Sequence, residues 1–229
     1  MQDYQIYQQQ VVTVSRLLTE KGLLMGTGGN VSARLPGQAA MAVTPSNFDY
    51  LQMGPEDVCV VGWEGGNELQ TLAGLHKPSI ESPMHAAIYQ ARQDAAVVVH
   101  THQPFASACA LVGQDIPALF DEQVRFLGRS VEVVPYAPSG TGFLKGNIVR
   151  KLRSMSNAYL LQNHGALLLA PDAERAIFNV ELLEKCAQAF LLALYTEARI
   201  ARIPLPIREI IMSKLRHDQR HAAAQLVSE

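Results

Sequence analysis

Apolar residues repeat every three or four positions near the start of the chain. Between about Tyr4 and Lys21 this pattern predicts an amphipathic helix that ends at Gly22. A second helix is predicted to begin at Ser82, because a serine followed by Pro83 supplies an N-cap and a proline at the first helical position. The same periodicity predicts further helices at 144–155 and 173–199.

Short apolar runs between these helices predict strands. The run 95–99 is too short for a helix and rich in β-branched residues, so we interpret it as a buried strand that continues to His102 and is ended by Pro104. The glycines around Trp63 predict a surface hairpin. Other strands are predicted at 31–35, 40–44, 58–61, 131–134 and 158–162.

Composition narrows the function classes. The chain has 229 residues, 48% of them hydrophobic, and its 19 basic and 21 acidic side chains give a formal charge of −2. No basic excess points to nucleic acid or an anionic membrane surface. No apolar run reaches the roughly 18 to 20 residues of a membrane span, and the N-terminus lacks the pattern of an export signal. We therefore expect a single cytoplasmic domain over 1–229, with a C-terminal arm from about residue 204.

The cysteines give no sign of a disulfide framework. Cys59, Cys109 and Cys186 are widely spaced, odd in number and form no C-x-x-C pair, which indicates reduced, buried thiols. A domain of this size can bury a sufficient core without a structural metal. Any metal site in the chain is therefore expected to be functional.

A glycine-rich loop at 26–30 follows the first helix and precedes a strand. This order is the reverse of the strand, loop and helix order of Rossmann and Walker loops, in which a phosphate meets a helix N-terminus. If this loop binds an anion, it does so through backbone amides alone, which the lack of a Cβ leaves open to approach.

Three histidines are candidate metal ligands. His100 and His102 lie two apart on the predicted strand, so both side chains project from the same face. A single H-x-H is a weak signal, but His164 follows a second strand-like run and precedes Gly165, which leaves room beside a ligand. Three neutral histidines suit a catalytic zinc with one open position. Glu81, in a polar loop just outside the second helix, is the candidate carboxylate.

Together these segments resemble the class II aldolase/adducin family, over residues from about 10 to 200. Each motif alone is weak evidence for the family, whereas all of them together in the family's order are specific evidence. The matching segments are Gly26-Thr27-Gly28-Gly29-Asn30-Val31-Ser32, Thr44-Pro45-Ser46, Lys77-Pro78-Ser79 leading to Glu81 and His85, His100-Thr101-His102, Pro135-Tyr136-Ala137 and Gln162-Asn163-His164-Gly165.

The resemblance implies a fold, an assembly and a site. The fold is expected to be a three-layer α/β domain with a mostly antiparallel central sheet covered by helices on both faces, assembled as a homotetramer with active sites at subunit interfaces. His100, His102 and His164 would bind Zn²⁺, or another divalent metal such as Mn²⁺ or Co²⁺. Glu81 would ligate the metal at rest and transfer protons when substrate displaces it. The expected substrate and phosphate positions are Thr27, Gly29, Asn30, Ser46, Asn47 and Ser79.

The chain departs from the family pattern at three positions. Ile80 stands where serine or threonine is usual and removes a hydroxyl donor. Asn47 stands where glycine is usual, but asparagine tolerates the left-handed backbone conformation and can donate from its amide. The family's acid tyrosine aligns near Asp121. Asp121 or Glu122 would serve as the acid if an apolar site raised the pKa of its carboxyl, but an ion pair with Arg125 or Arg129 is the alternative that we favour.

The resemblance implies a metal-dependent aldolase. It would cleave a small phosphorylated ketose, such as L-fuculose 1-phosphate, to dihydroxyacetone phosphate and an aldehyde through a metal-stabilised enediolate. A decarboxylase of a 3-oxo sugar-acid phosphate and a sugar-phosphate 4-epimerase remain alternatives on the same metal site. A non-enzymatic, adducin-like binding domain is a remote alternative, because such relatives lose the metal ligands that this chain keeps.

Overall fold

The computed structural model describes residues 4–63 and 69–228, which form one eight-stranded sheet with helices on both faces. The strands are β1 Asn30–Leu35, β2 Ala40–Val43, β3 Cys59–Gly62, β4 Gln70–Ala73, β5 Val97–Thr101, β6 Glu132–Val134, β7 Ala158–Leu161 and β8 Gly165–Ala170. The helices are α1 Gln5–Glu20, α2 Ser82–Ala91, α3 Pro104–Val112, α4 Asp121–Phe126, α5 Gly142–Lys151, α6 Ala173–Tyr195 and α7 Leu205–Ser228.

The sheet has the strand order β4-β3-β2-β1-β5-β8-β7-β6 and is antiparallel except between β6 and β7. On one face, α1, α3 and α6 pack over a core that includes Val97 and Val99. On the other face, α2 and α5 pack over a core that includes Val98. The predicted three-layer architecture is confirmed, and it explains why 97–99 is apolar at every position.

The sequence predicted most element positions but missed several elements. The first helix and the strands β1, β2, β3, β6 and β7 lie within about one residue of their predicted ends. Strand β8 and helices α3 and α4 were not predicted. Strands β3 and β4 pair antiparallel, and residues 64–68 between them, where the hairpin turn was predicted, lie outside the described residues.

The predicted C-terminal arm contains helix α7, which packs on the α4 region of its own chain. Met212 and Leu215 are buried against Ala118 and Val124 of the α4 region. The Gln219 amide donates hydrogen bonds to the Met155 carbonyl at 2.9 Å and to Asn157 Oδ1 at 3.0 Å. None of the helices within 4–63 and 69–228 is long and apolar enough to cross a bilayer.

The turn between α2 and β5 contains a buried charge pair. The Arg92 guanidinium donates to both carboxylate oxygens of Asp94, at 2.8 and 2.7 Å, and also to the Ser156 carbonyl and to Asn157 Oδ1, each at 2.7 Å. Arg92 is only 1% exposed, so these partners satisfy a charge that water does not reach. The pair therefore fixes the turn that leads from Glu81 and α2 into the strand that carries His100.

Candidate active site

Three histidines meet at one end of the sheet. His100 lies on β5, His102 follows the last residue of that strand, and His164 lies in the turn between β7 and β8. The Nε2 atom of His100 is 3.0 Å from Nε2 of His102 and 3.2 Å from Nε2 of His164. The candidate ligand atoms of all three lie within 4.8 Å of one another. The structure thus brings together the three histidines that the sequence analysis identified as candidate metal ligands.

The protonation of these rings favours a metal site. His100 Nδ1 lies 2.9 Å from the Ala166 carbonyl, which only accepts hydrogen bonds, so we assign the proton to Nδ1 and leave a lone pair on Nε2. Burial lowers the pKa of His100 and His102, because the imidazolium form is poorly solvated there. The unprotonated Nε2 of His100 faces Nε2 of His102 and of His164, and three converging imidazole nitrogens are a donor set that fits a divalent metal.

Gly165, the first residue of β8, makes this convergence possible. A Cβ on Gly165 would overlap the Thr101 carbonyl oxygen and come within 2.7 Å of His102 Cδ2 and 3.3 Å of His100 Cε1. Real Cβ contacts do not come that close, so any side chain at this position would displace β5 or its histidines. The sequence analysis anticipated a need for space beside the histidines, because a glycine directly follows His164.

We expect Gly165→Ala to cost about 1–3 kcal/mol of unfolding free energy, because overpacking displaces a buried strand. The variant should also bind Zn²⁺ at least about tenfold more weakly, since a 1.4 kcal/mol distortion of the ligand set is one decade in affinity. Denaturant unfolding of the metal-free protein and a zinc titration measure the two effects.

Gly146→Ala is the matched control for this substitution. Gly146 lies on α5 with nothing within 4 Å of its Cβ position, and alanine has the higher helix propensity. The control should therefore unfold at equal or higher denaturant concentration with unchanged zinc affinity. Equal behaviour of the two variants would show that Gly165 does not constrain the histidines.

Glu81 joins the histidines from the start of α2. Its Oε2 accepts a hydrogen bond from Asn30 Nδ2 at 2.7 Å and lies 3.3 Å from His100 Nε2. Its Oε1 accepts a hydrogen bond from Ser139 Oγ at 2.6 Å and lies 3.6 Å from His164 Nε2. The side chain is buried beside the buried His100, whereas His102 and His164 are partly exposed, so the group is open on the side of those two histidines.

The helix start that positions Glu81 differs slightly from the prediction. Ser82 was predicted as the N-cap of α2, but the helix already includes Ser82 and Glu81 occupies the N-cap position without a side-chain capping bond. Pro83 still lies in the first turn, as predicted. Because the Glu81 side chain does not cap its own helix, its carboxylate is available to the histidines.

The environment of Glu81 favours the ionised form. Burial raises its pKa, but the hydrogen bonds that Ser139 and Asn30 donate favour the carboxylate, and the net result is a pKa below the ordinary value. Glu81 is therefore a carboxylate at neutral pH. It presents a negative charge to His100 and His102, whose neutral form burial favours.

Ser139 is the residue at this site that the sequence analysis missed. It lies in the segment Pro138-Ser139-Gly140-Thr141, just beyond the family-like Pro135-Tyr136-Ala137. A serine in a turn is common and carries no signal of its own. Only the fold brings it to a carboxylate 58 residues earlier in the chain.

The predicted phosphate positions lie on segments that hydrogen bonds hold together. The Thr44 carbonyl accepts from the Ser79 amide at 3.1 Å, and the Ser46 amide donates to the Lys77 carbonyl at 2.9 Å. Ser79 Oγ in turn accepts from the Glu81 amide at 3.3 Å. These bonds place the segments of Ser46 and Ser79 next to Glu81.

Asn47 adopts the backbone conformation that the sequence analysis anticipated. Its φ is 54°, in the left-handed region that glycine and asparagine tolerate best. Ile80, the other departure from the family pattern in this region, is 67% exposed. The asparagine therefore preserves the backbone turn, while the isoleucine presents an apolar side chain beside the carboxylate.

The glycine loop packs directly against the histidine strand. A Cβ on Gly29, whose φ is 78°, would lie 2.5 Å from the His100 carbonyl oxygen, and a Cβ on Gly28 would lie 2.9 Å from His102 Nδ1. The Tyr50 hydroxyl donates to the Gly29 carbonyl at 2.7 Å. These glycines are thus required for close packing against β5, whereas Thr27 beside them is exposed.

Asp121 is the exposed first residue of α4, and the ion pair that we favoured for it is wrong. Arg125 pairs with Asp218 of α7, and Arg129 donates to Glu209 of α7 at 2.9 Å. Within the described parts of the chain, no hydrogen bond or ion pair joins Asp121 to Glu81 or to the three histidines. Its role as an acid stays a prediction.

His85, four residues after Glu81, supports the fold rather than the carboxylate. Its ring is completely buried, and its Nδ1 lies 2.6 Å from Ser32 Oγ, which is also 2.8 Å from the Tyr89 hydroxyl. Burial lowers the pKa of His85, so the ring is neutral at physiological pH. The bond ties α2 to β1 beside Asn30.

Comparison with known proteins identifies relatives along most of the chain. The model of the class II aldolase and adducin N-terminal domain matches residues 9–191. The 5-deoxy-D-ribulose 1-phosphate aldolase of Bacillus thuringiensis is 34% identical over 187 residues, which cover 80% of this chain and 83% of that protein. The L-fuculose phosphate aldolase of Escherichia coli is 32% identical over 185 residues, covering 81% and 82% of the two chains.

Solved structures share the fold. An L-fuculose 1-phosphate aldolase superposes with a TM-score of 0.84 at 30% identity, covering 92% of this chain and 96% of its own. The Escherichia coli protein YgbL, described as a putative aldolase/epimerase/decarboxylase, superposes with a TM-score of 0.79 at 24% identity and shows the fold alone. On the match over 9–191, the shared fold and the converging histidines, this chain belongs to the class II aldolase and adducin family.

Proposed function

We propose that this protein is a divalent-metal-dependent aldolase that cleaves a small phosphorylated ketose to dihydroxyacetone phosphate and an aldehyde. The observation that carries the proposal is the buried Glu81 carboxylate 3.3 Å from Nε2 of a neutral His100 in the three-histidine group. The relatives named for L-fuculose phosphate and 5-deoxy-D-ribulose 1-phosphate support a phosphorylated ketose as the substrate class.

The metal would be held by His100, His102 and His164, with Glu81 as the fourth ligand at rest. Three imidazole nitrogens and one carboxylate suit Zn²⁺ best, and Mn²⁺ or Co²⁺ would also fit. When bound, the cation would polarise the ketose oxygens and stabilise the enediolate left by cleavage. The remaining chemistry falls to the protein's own side chains.

Glu81 is proposed as the base and acid of the reaction. Substrate oxygens would take its place among the histidines, and the freed carboxylate would then move a proton to or from the reacting carbon. Asn30 donates to Glu81 Oε2 from β1 and so limits how far the carboxylate moves. The burial of Glu81 keeps competing water protons away from the carbanion equivalent.

The substrate phosphate would lie on the loop segments beside Glu81. The donors proposed for it are Thr27, the Gly29 amide, Asn30, Ser46, Asn47 and Ser79. Holding this distant group positions the reacting carbons, which is the main use of remote binding energy. We further propose a homotetramer with sites at subunit interfaces, in which the exposed Asp121 would be the acid for the aldehyde half of the substrate.

The test is deuterium exchange into dihydroxyacetone phosphate, followed by NMR in D₂O. This half-reaction needs the metal, the base and the phosphate site but no aldehyde. We expect exchange with zinc-loaded protein and none after chelation, and a screen of aldehydes would then identify the second product. Absence of exchange from protein shown to contain zinc would refute the dihydroxyacetone phosphate aldolase.

A further inference from the structure

Ser139 lies at the tip of a well-defined turn. The Thr141 amide donates to the Pro138 carbonyl at 3.3 Å, and Gly140 has a φ of 72°, which is typical of the third residue of a type II turn. The Thr141 hydroxyl accepts from the Leu144 amide and so caps helix α5. The turn is therefore anchored to a helix, and it directs the Ser139 hydroxyl towards Glu81.

The two hydrogen-bond donors to Glu81 differ in their surroundings. Asn30 is the first residue of β1, is 3% exposed and pairs with His100 of β5, so its position is fixed by the strand that carries the histidines. Ser139 lies on a solvent-exposed turn, and its Oγ is the donor to Oε1. Among the described residues, no other hydrogen bond to Oε1 is present. Removing the Ser139 hydroxyl would thus free one carboxylate oxygen and leave the other held.

We propose that Ser139 is a positioning residue that orients the Glu81 carboxylate for metal binding and proton transfer. This inference rests on the function proposed for Glu81 and assigns to Ser139 a role that the family-like motifs do not include. The hydroxyl binds Oε1, the oxygen nearest His164, while Asn30 holds Oε2 nearest His100. With both donors present, the carboxylate plane has one orientation relative to the histidines.

Glu81 has two proposed roles, as the resting metal ligand and as the group that transfers the proton. A carboxylate that first binds a metal and then gives way to substrate must change position by a small rotation. Asn30, which the sheet holds, sets the pivot at Oε2, and Ser139, which the capped turn holds, sets the position of Oε1. Ser139 therefore acts through Glu81 and has no contact with substrate in this proposal.

The experiment compares Ser139→Ala with Ser139→Thr, which keeps a hydroxyl, and with Ser213→Ala as a matched control. Ser213 is an exposed serine on α7 whose hydroxyl bonds the Ile210 carbonyl. For Ser139→Ala we expect kcat for exchange to fall about tenfold and zinc affinity to fall severalfold, as for loss of one hydrogen bond to a charged group. The KM for dihydroxyacetone phosphate should stay within about twofold, because Ser139 does not contact the substrate in this proposal.

Zinc titrations of the same variants in a Glu81→Gln background separate positioning from simple folding effects. If Ser139 acts through Glu81, Ser139→Ala should weaken zinc binding only when the carboxylate is present, so the two substitutions are non-additive. Ser139→Thr should recover most of the affinity and rate. Additive effects, no rescue by threonine, or wild-type values for Ser139→Ala would each overturn the proposal. The zinc readout needs no substrate, so failure of the wild-type protein to catalyse exchange would instead count against the proposed aldolase.

Discussion

Glu81→Gln is expected to lower the rate of deuterium exchange into dihydroxyacetone phosphate by about 10² to 10⁴, the usual value of a positioned general acid–base group. The amide has nearly the same shape as the carboxylate, and its oxygen can still accept from Asn30 or Ser139. It has no basic oxygen with which to take a proton, however. The loss should therefore appear in kcat rather than in the KM for the phosphate ester.

Two measurements make this result specific. Zinc content, determined on the protein used for the assay, separates loss of the base from loss of the metal, because Glu81 is also the proposed resting ligand. Glu174→Gln, at an exposed glutamate in the first turn of α6, is the control and should exchange at the wild-type rate. A Glu81→Gln protein that carries zinc and keeps its rate within about threefold, far short of the general-base range, would assign proton transfer to another group.

The histidine group shows what a single sequence can establish. His100 and His102 share a face because the strand period is two, and Pro83 lies in the first turn of α2, although the N-cap is Glu81 rather than the predicted Ser82. These are local rules, and the structure follows them. The approach of His164 to the pair is not local, since it depends on antiparallel pairing of β5 with β8.

Strand β8 and the ion-pair partners of α4 could not be predicted from local sequence rules. Residues 165–170 read Gly-Ala-Leu-Leu-Leu-Ala, which contains no β-branched residue and suits a helix as well as a strand. Their position between β5 and β7 decides the outcome. Likewise, Asp121 and Arg125 have the spacing of a helical ion pair, but α7 supplies Asp218 from 93 residues away.

Arg92→Met is expected to lower the free energy of unfolding by about 3–5 kcal/mol, the usual cost of removing one partner of a buried ion pair. Asp94 is 8% exposed and would lose both charge-assisted hydrogen bonds while staying buried. The Ser156 carbonyl and Asn157 Oδ1 would lose a donor as well. Urea unfolding of the metal-free proteins measures the loss without a contribution from the metal site.

Two further variants show whether the uncompensated charge is the cause. Replacing both partners, as Arg92→Met with Asp94→Leu, should recover much of the stability, since a buried pair can be exchanged for apolar side chains at little net cost. Arg129→Ala breaks a half-exposed ion pair to Glu209 and should cost no more than about 1 kcal/mol. If the double variant were as unstable as Arg92→Met, the bonds from Arg92 to 156–157 would be the dominant contribution. The turn would then stabilise the site by tying α2 and β5 to β7, rather than by neutralising Asp94.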